Sequence, residues 1–308
     1  MKLICKIDEL EDASKYLKNS AVSIGNFDGV HLGHQELISR LNALAKHHGG
    51  PSVVFTFDPH PVRLLRPDQA PPPLTWTKRK AALLSAIGVD YMVAYPTDHD
   101  LLELTPDGFF RQIVLEKLGT AALVEGPNFF FGKNRGGDVK TLRTLCDANE
   151  VTLEVVQPTE DGGELISSSR VRSAIADGDI DSARRMLTSP YRVRGMVTHG
   201  AARGSKIGFP TANLSAIDTL VPGHGVYAGT AHLNGESFQA AINIGPNPTF
   251  DEDEHKVEAH LLDFDRNIYG QAVEVDFLTR LRDIQPFPNV EALIAQLHHD
   301  IEATRSAS

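Results

Sequence analysis

The sequence predicts two domains of different class: a doubly wound parallel α/β domain over residues 1–187, then a small antiparallel β-barrel with a terminal helix over residues 188–308. Three observations predict this. Up to about residue 157, short apolar runs alternate with stretches of helical periodicity, the pattern of an open parallel sheet covered on both faces. Beyond the linker Thr188-Ser189-Pro190, β-rich runs follow one another without helices between them. Asn234-Gly235 separates two of those runs, a two-residue hairpin signal.

The strands of the first domain read as 21–24, 52–57, 90–95, 121–125 and 152–156. Helical patterns lie between them at 34–48, 78–87, 107–118 and 139–149. The first of these carries Leu37, Ile38, Leu41, Leu44 and Ala45 on one face and ends in Gly49-Gly50, a suitable stop. Two short helices follow, about 168–176 and 179–187. The barrel strands read as 193–198, 226–233, 238–244, 256–262 and 272–278, and a last helix over 290–303 places Leu293, Ile294, Leu297 and Ile301 on one face.

The bulk properties narrow the function. The chain has 308 residues, 41% hydrophobic and 23% charged, as in an ordinary soluble globular protein. A net charge of −10 argues against a general affinity for nucleic acid. Cys5 and Cys146 make no disulfide framework and fit a reducing cytoplasm. The opening residues do not form a signal peptide, and no apolar run approaches the roughly 18 residues of a membrane span.

Chemistry concentrates in a few segments. Gly25 to Gln35 reads GNFDGVHLGHQ, directly after a strand and directly before a helix. A glycine-flanked turn feeding a helix start points backbone N–H groups outward and favours an anion there. His31 and His34 add donors suited to a polyphosphate. The turn Thr56-Phe57-Asp58-Pro59-His60-Pro61 follows the second strand, and its prolines stiffen a loop carrying an acid, a base and a ring. After the fourth strand comes GPNFFFGKNRGGD, Gly126 to Asp138, where Asn128 can bond a base or ribose and Phe129 or Phe131 can stack. Its glycine spacing does not make a Walker loop. Ile166 to Arg172 reads ISSSRVR, with hydroxyls at a helix start and arginines one turn in.

The GxFDxxHxGH pattern resembles the signature of the nucleotidylyltransferase superfamily, and GNFDGVHLGHQ is similar to the N-terminal module of the bacterial bifunctional riboflavin kinase/FAD synthetases. The Gly126–Asp138 and Ile166–Arg172 segments resemble that family's GxxFxFGxxRxGD and ISSTRxR motifs. Here Ser169 replaces the usual threonine and a third phenylalanine is added. In the second domain, Gly195 to Leu214 reads GMVTHGAARGSKIGFPTANL, and Pro210-Thr211-Ala212-Asn213 resembles the PTAN motif of riboflavin kinases. GVYA at 225–228, NIGPNPTF at 243–250 and VEAHLLDF at 257–264 continue the resemblance.

The resemblance covers roughly residues 20–303 and implies a Rossmann-like first domain that makes FAD and pyrophosphate from FMN and ATP. It implies a barrel that makes FMN and ADP from riboflavin and ATP. Both steps would need Mg²⁺. The FMN phosphate is already an ionised nucleophile, so alignment and charge stabilisation should suffice. Gly25, Phe27, His31, His34, Ser168, Ser169, Arg170 and Arg172 are the expected residues for that work, with Asn128 on the adenosine. The second reaction starts from an alcohol and needs a base, expected at Glu258, with His260 and Asp263 as the next candidates. Gly200, Arg203, Lys206 and Asn243 are expected at the nucleotide, and the oxygens of Thr211 and Asn213 at magnesium. The expected partners are the small molecules riboflavin, FMN and ATP, with no nucleic acid and no membrane. Two alternatives stand beside this reading: one active module with the other as scaffold, and a flavin carrier without turnover.

Overall fold

The computed structural model describes residues 1–200, 203–247 and 252–307. The chain forms two compact units, Met1–Pro71 with Thr77–Ile166, and Pro72–Trp76 with the chain from Ser167 onward. The second unit therefore takes in the two short helices that the sequence reading assigns to the first domain.

The first unit is built on strands β1 (Lys2–Ile4), β2 (Ser20–Ile24), β3 (Ser52–Asp58), β4 (Tyr91–Pro96), β5 (Thr120–Glu125) and β6 (Thr152–Val155). They form one sheet in the order β1-β4-β3-β2-β5-β6, all parallel. Every residue of β2 is buried, as a strand covered on both faces requires. Helices α1 (Ile7–Ala13), α2 (Leu32–His48), α3 (Pro61–Leu65), α4 (Thr77–Ala86), α5 (His99–Glu103), α6 (Pro106–Phe109) and α7 (Val139–Ala148) complete the unit. Phe110–Lys117 extends α6 as a π-helix. One face of the sheet packs Val22, Phe55 and Leu123 with Phe109, Phe110 and Phe131, and the other packs Ala21, Val54 and Ala122 with Ile38, Leu41 and Leu84. The chain winds outward from β2 to β3 and β4 in one direction, and β5 and β6 lie on the other side. The switch point falls between β2 and β5, where open sheets of this kind bind ligands at the carboxyl ends of the strands. A small hairpin, β7 (Glu160–Asp161) and β8 (Glu164–Leu165), follows the sheet.

The second unit begins with α8 (Ser168–Ala176) and α9 (Ile180–Met186). Strands β9 (Tyr191–Thr198), β10 (Ala212–Ser215), β11 (Gly225–Leu233), β12 (Glu236–Asn247), β13 (Glu252–Leu261) and β14 (Ala272–Arg282) close a barrel in the order β10-β13-β12-β11-β14-β9, antiparallel throughout. Every second residue of β9, from Tyr191 to Val197, is buried and those between are part-buried or exposed, the period of a strand with one face inward. Asn234 and Gly235 make the expected hairpin, both with positive φ. After the single-turn α10 (Arg203–Lys206), the helix α11 (Val290–Ser306) ends the chain. It packs along β11 and β12, and its buried Asp300 accepts a hydrogen bond from Arg282 Nη2 at 2.8 Å.

Two candidate active sites

The first site grows from the end of β2. Gly25 N–H donates to the Phe55 carbonyl on β3 at 3.0 Å, and the chain then turns sharply, with φ of 47° at Phe27, 83° at Gly29 and 43° at Val30. Positive φ at a β-branched residue is strained and survives only where the surroundings fix it. Asn26 supplies part of that hold, because its carbonyl accepts from Thr56 Oγ1 at 3.2 Å and from Lys80 Nζ at 2.6 Å. The Phe27 ring is only 3% exposed and lies 5.0 Å from the His34 ring, so it backs the histidine from within the core.

Helix α2 starts at Leu32, two residues before its expected start, and this makes His31 the N-cap and His34 the third helical residue. The two rings then cap each other's backbone. His34 N–H donates to His31 Nδ1 and His31 N–H donates to His34 Nδ1, both at 3.3 Å. The rings stack with centroids 3.6 Å apart at 15°. An Nδ1 that accepts leaves the neutral ring's proton on Nε2, so each imidazole carries its donor on the nitrogen away from the cap. Burial, with smaller contributions from His31 and Lys80, holds His34 well below its ordinary pKa and thus neutral.

The other segments of this unit sort into structural and available groups. Asp58 accepts from Thr77 Oγ1 at 2.7 Å, and His60 Nδ1 accepts the Val62 N–H at 3.1 Å, so the acid and the base of that turn brace α4 and α3. Asn128 is exposed. Phe131 is buried and stacks on Phe129, 5.5 Å between centroids, and Phe129 packs against the core. The ring left at the surface is the extra one, Phe130, 46% exposed with the Arg135 guanidinium 4.5 Å over its face. Asp138 caps α7 through the Thr141 N–H at 2.8 Å.

Ser168, Ser169, Arg170 and Arg172 lie in the first turns of α8, in the second unit. The cap itself is Ser167, whose hydroxyl accepts the Arg170 N–H at 3.2 Å. Arg172 Nε donates to the Pro72 carbonyl at 2.9 Å.

The barrel site is a row across neighbouring strands. Thr198 of β9, Asn213 of β10, Glu258 of β13 and Asn243 of β12 stand opposite one another in register. Residues directly opposite in antiparallel strands share a face, so the four polar side chains lie side by side. Their neighbours Ala212, Leu214, Val257, Ala259, Ile242 and Ile244 are buried on the other face. Asn213, Glu258 and Asn243 are part-buried. Gly200 lies hard against this row, because a Cβ there would sit 2.3 Å from Asn213 Nδ2. His260 Nδ1 lies 2.7 Å from the Pro210 carbonyl and braces the segment leading to Thr211 and Asn213. Asp263 is paired with Arg305 through two hydrogen bonds of 2.8 and 2.9 Å, which hold its carboxyl below the usual range. Both alternative bases are therefore engaged elsewhere. The side chains of Arg203 and Lys206, and residues 248–250 of the NIGPNPTF segment, lie outside the described residues.

Two groups near the first site escape the sequence reading. Lys80 reads as an ordinary surface cation on an amphipathic helix, yet it holds the Asn26 carbonyl. Glu125 reads as a strand end, yet it is 2% exposed and accepts the Ile24 N–H at 2.8 Å. Burial pushes its carboxyl well above the usual range, and that one hydrogen bond offsets only part of the effect.

Comparison with known proteins agrees with this arrangement. Residues 13–170 match the FAD synthetase family model and residues 187–308 match the riboflavin kinase model. The bifunctional riboflavin kinase/FMN adenylyltransferase of Pseudomonas fluorescens is 36% identical over 94% of this chain and 93% of its own length. That of Listeria monocytogenes is 37% identical over 94% and 92%. A solved structure from Streptococcus pneumoniae, described as a macrolide-efflux protein, superposes with a TM-score of 0.85 at 33% identity, covering 99% of both chains. Among the described residues of this chain, no helix is long and apolar enough to cross a membrane. With two family models in series and full-length relatives above 30% identity, the chain belongs to the bifunctional riboflavin kinase/FMN adenylyltransferase family.

Proposed function

We propose that the chain makes FMN and then FAD, each at the expense of ATP, in two separate sites. The barrel unit phosphorylates riboflavin to FMN and releases ADP; the parallel-sheet unit joins FMN to the AMP of ATP and releases pyrophosphate. The observation that carries this reading is that the stacked His31–His34 pair of the first unit and the Glu258 row of the barrel suit two different reactions.

In the barrel the nucleophile is the ribityl 5′-hydroxyl. Glu258 takes its proton as the oxygen attacks the γ-phosphorus, and the bond to ADP breaks. Asn213 and Asn243 flank the glutamate and orient the substrates. The donor set fits Mg²⁺: the side-chain oxygens of Thr211 and Asn213 are hard ligands and would hold the ion. When bound, the ion neutralises charge on the transferring phosphate. Gly200, Arg203 and Lys206 serve the nucleotide.

In the parallel-sheet unit the nucleophile is the FMN phosphate, which needs no base. It attacks the α-phosphorus, and pyrophosphate leaves. His31 and His34 donate from Nε2 to the triphosphate, with Gly25 letting the backbone approach and Phe27 supporting the ring above it. Ser168, Ser169, Arg170 and Arg172 contribute hydroxyl and cationic donors to ATP, and Asn128 holds the adenosine. The chain works on small molecules, without a nucleic-acid or membrane partner. Its two free cysteines fit a reducing compartment such as the cytoplasm.

Incubation with riboflavin, ATP and Mg²⁺, followed by chromatography of the flavins, tests the reading. FMN together with FAD is the expected result. FMN alone leaves a single kinase, and unchanged riboflavin leaves a carrier.

A further inference from the structure

Glu125 does with a side chain what a parallel ladder does with backbone. β2 and β5 pair through Ser20–Val22 and Thr120–Leu123. Beyond that stretch the Ile24 N–H donates to the Glu125 carboxyl, not to a carbonyl of β5. On the opposite side, the next N–H, that of Gly25, donates to Phe55 of β3. The last peptide groups of β2 are thus gripped from both neighbouring strands, at the switch point of the sheet. The strained turn through Phe27 and Val30 begins immediately afterwards.

We infer that Glu125 is a positioning residue for adenylyl transfer: its carboxyl bridges the ends of β2 and β5 and fixes where the Gly25–His34 turn leaves the sheet. The inference rests on the proposed placement of that reaction at this turn. An apolar side chain at this position would pack as well but would leave the Ile24 N–H without its acceptor. The carboxyl is buried, and burial favours its neutral form. The Cys146 thiol of α7, which feels the Glu125 carboxyl, is itself pushed up to about 12, mainly by burial, and stays neutral. A glutamine therefore reproduces the native state of Glu125, with an oxygen acceptor and no charge.

The test compares Glu125→Gln with Glu125→Leu in the full chain. The rate of FAD formation from supplied FMN is measured per folded molecule, with the folded fraction read by circular dichroism. Glu125→Gln should keep the parent rate. Glu125→Leu should lose roughly 10- to 100-fold in kcat, the scale of a misplaced catalytic group. Riboflavin phosphorylation should be unchanged in both. A leucine variant with the parent rate per folded molecule overturns the inference, and so does a glutamine variant as slow as the leucine one. Failure of the parent chain to form FAD would instead refute the proposed function.

Discussion

Asn213 stands directly opposite Glu258 on adjacent antiparallel strands, and the barrel register places Asn243 opposite the same glutamate on its other side. The register thus sets the carboxylate between two carboxamides. Changing Glu258 to Gln keeps that packing and removes the base. Riboflavin phosphorylation should fall by roughly 10²- to 10⁴-fold, the usual worth of general-base catalysis. FAD formation from supplied FMN should persist. A variant phosphorylating riboflavin at close to the parent rate would remove Glu258 from the mechanism.

Gly200 tests the same row from the other side. In Gly200→Ala the new Cβ, 2.3 Å from Asn213 Nδ2 and 2.6 Å from Cγ, must displace the whole carboxamide. The KM for Mg-ATP in riboflavin phosphorylation should rise, with the FAD-forming step unaffected. Unchanged steady-state constants in both reactions would show that Asn213 does not serve the nucleotide.

His31→Ala removes a donor and an N-cap together. Loss of the cap weakens α2 by about 1 kcal/mol. Loss of the donor should cut FAD formation on the order of 10²-fold, about 2.7 kcal/mol, so activity falls well beyond what destabilisation explains. FMN formation should remain near the parent rate. Equal loss of both activities in a folded variant would contradict the assignment.

The buried groups of the first unit give opposite pH dependences. Glu125 has a raised pKa in the fold, so above the unfolded value near 4.5 the unfolded chain releases a proton that the native chain keeps. Stability therefore falls as pH rises from there toward the folded value. His34 has a depressed pKa, so below about 6.5 the unfolded chain binds a proton that the native chain refuses, and stability falls as pH drops. Thermal midpoints of Glu125→Gln minus parent should thus grow with pH above 4.5. A difference independent of pH would mean that Glu125 is not held neutral.

Much of this was legible in the sequence, for reasons that specific residues show. The buried strands 21–24 and 52–57 are continuous apolar runs bounded by polar turns, and they recur as β2 and β3 almost unchanged. The HxxH spacing of His31 and His34 was visible, but their mutual capping was not, because it depends on the helix starting at Leu32. Strand β10 was missed altogether. Its four residues alternate apolar and polar, but so short a run after Gly208 and Pro210 does not stand out as a strand; pairing with β9 and β13 creates it and places Asn213 beside Glu258. Glu125 was hidden for a similar reason. A glutamate ending a strand looks solvated until the order of the sheet brings Ile24 alongside it.

The central claim is that two independent sites act in one chain, and a mixing experiment tests it most directly. His31→Ala and Glu258→Gln are each incubated with riboflavin, ATP and Mg²⁺, separately and then together, and FAD is followed by chromatography. His31→Ala alone should accumulate FMN, and Glu258→Gln alone should leave riboflavin largely unchanged. The mixture should form FAD, because FMN released by one variant serves the intact site of the other. A mixture that makes no more FAD than the two variants make separately would contradict the account.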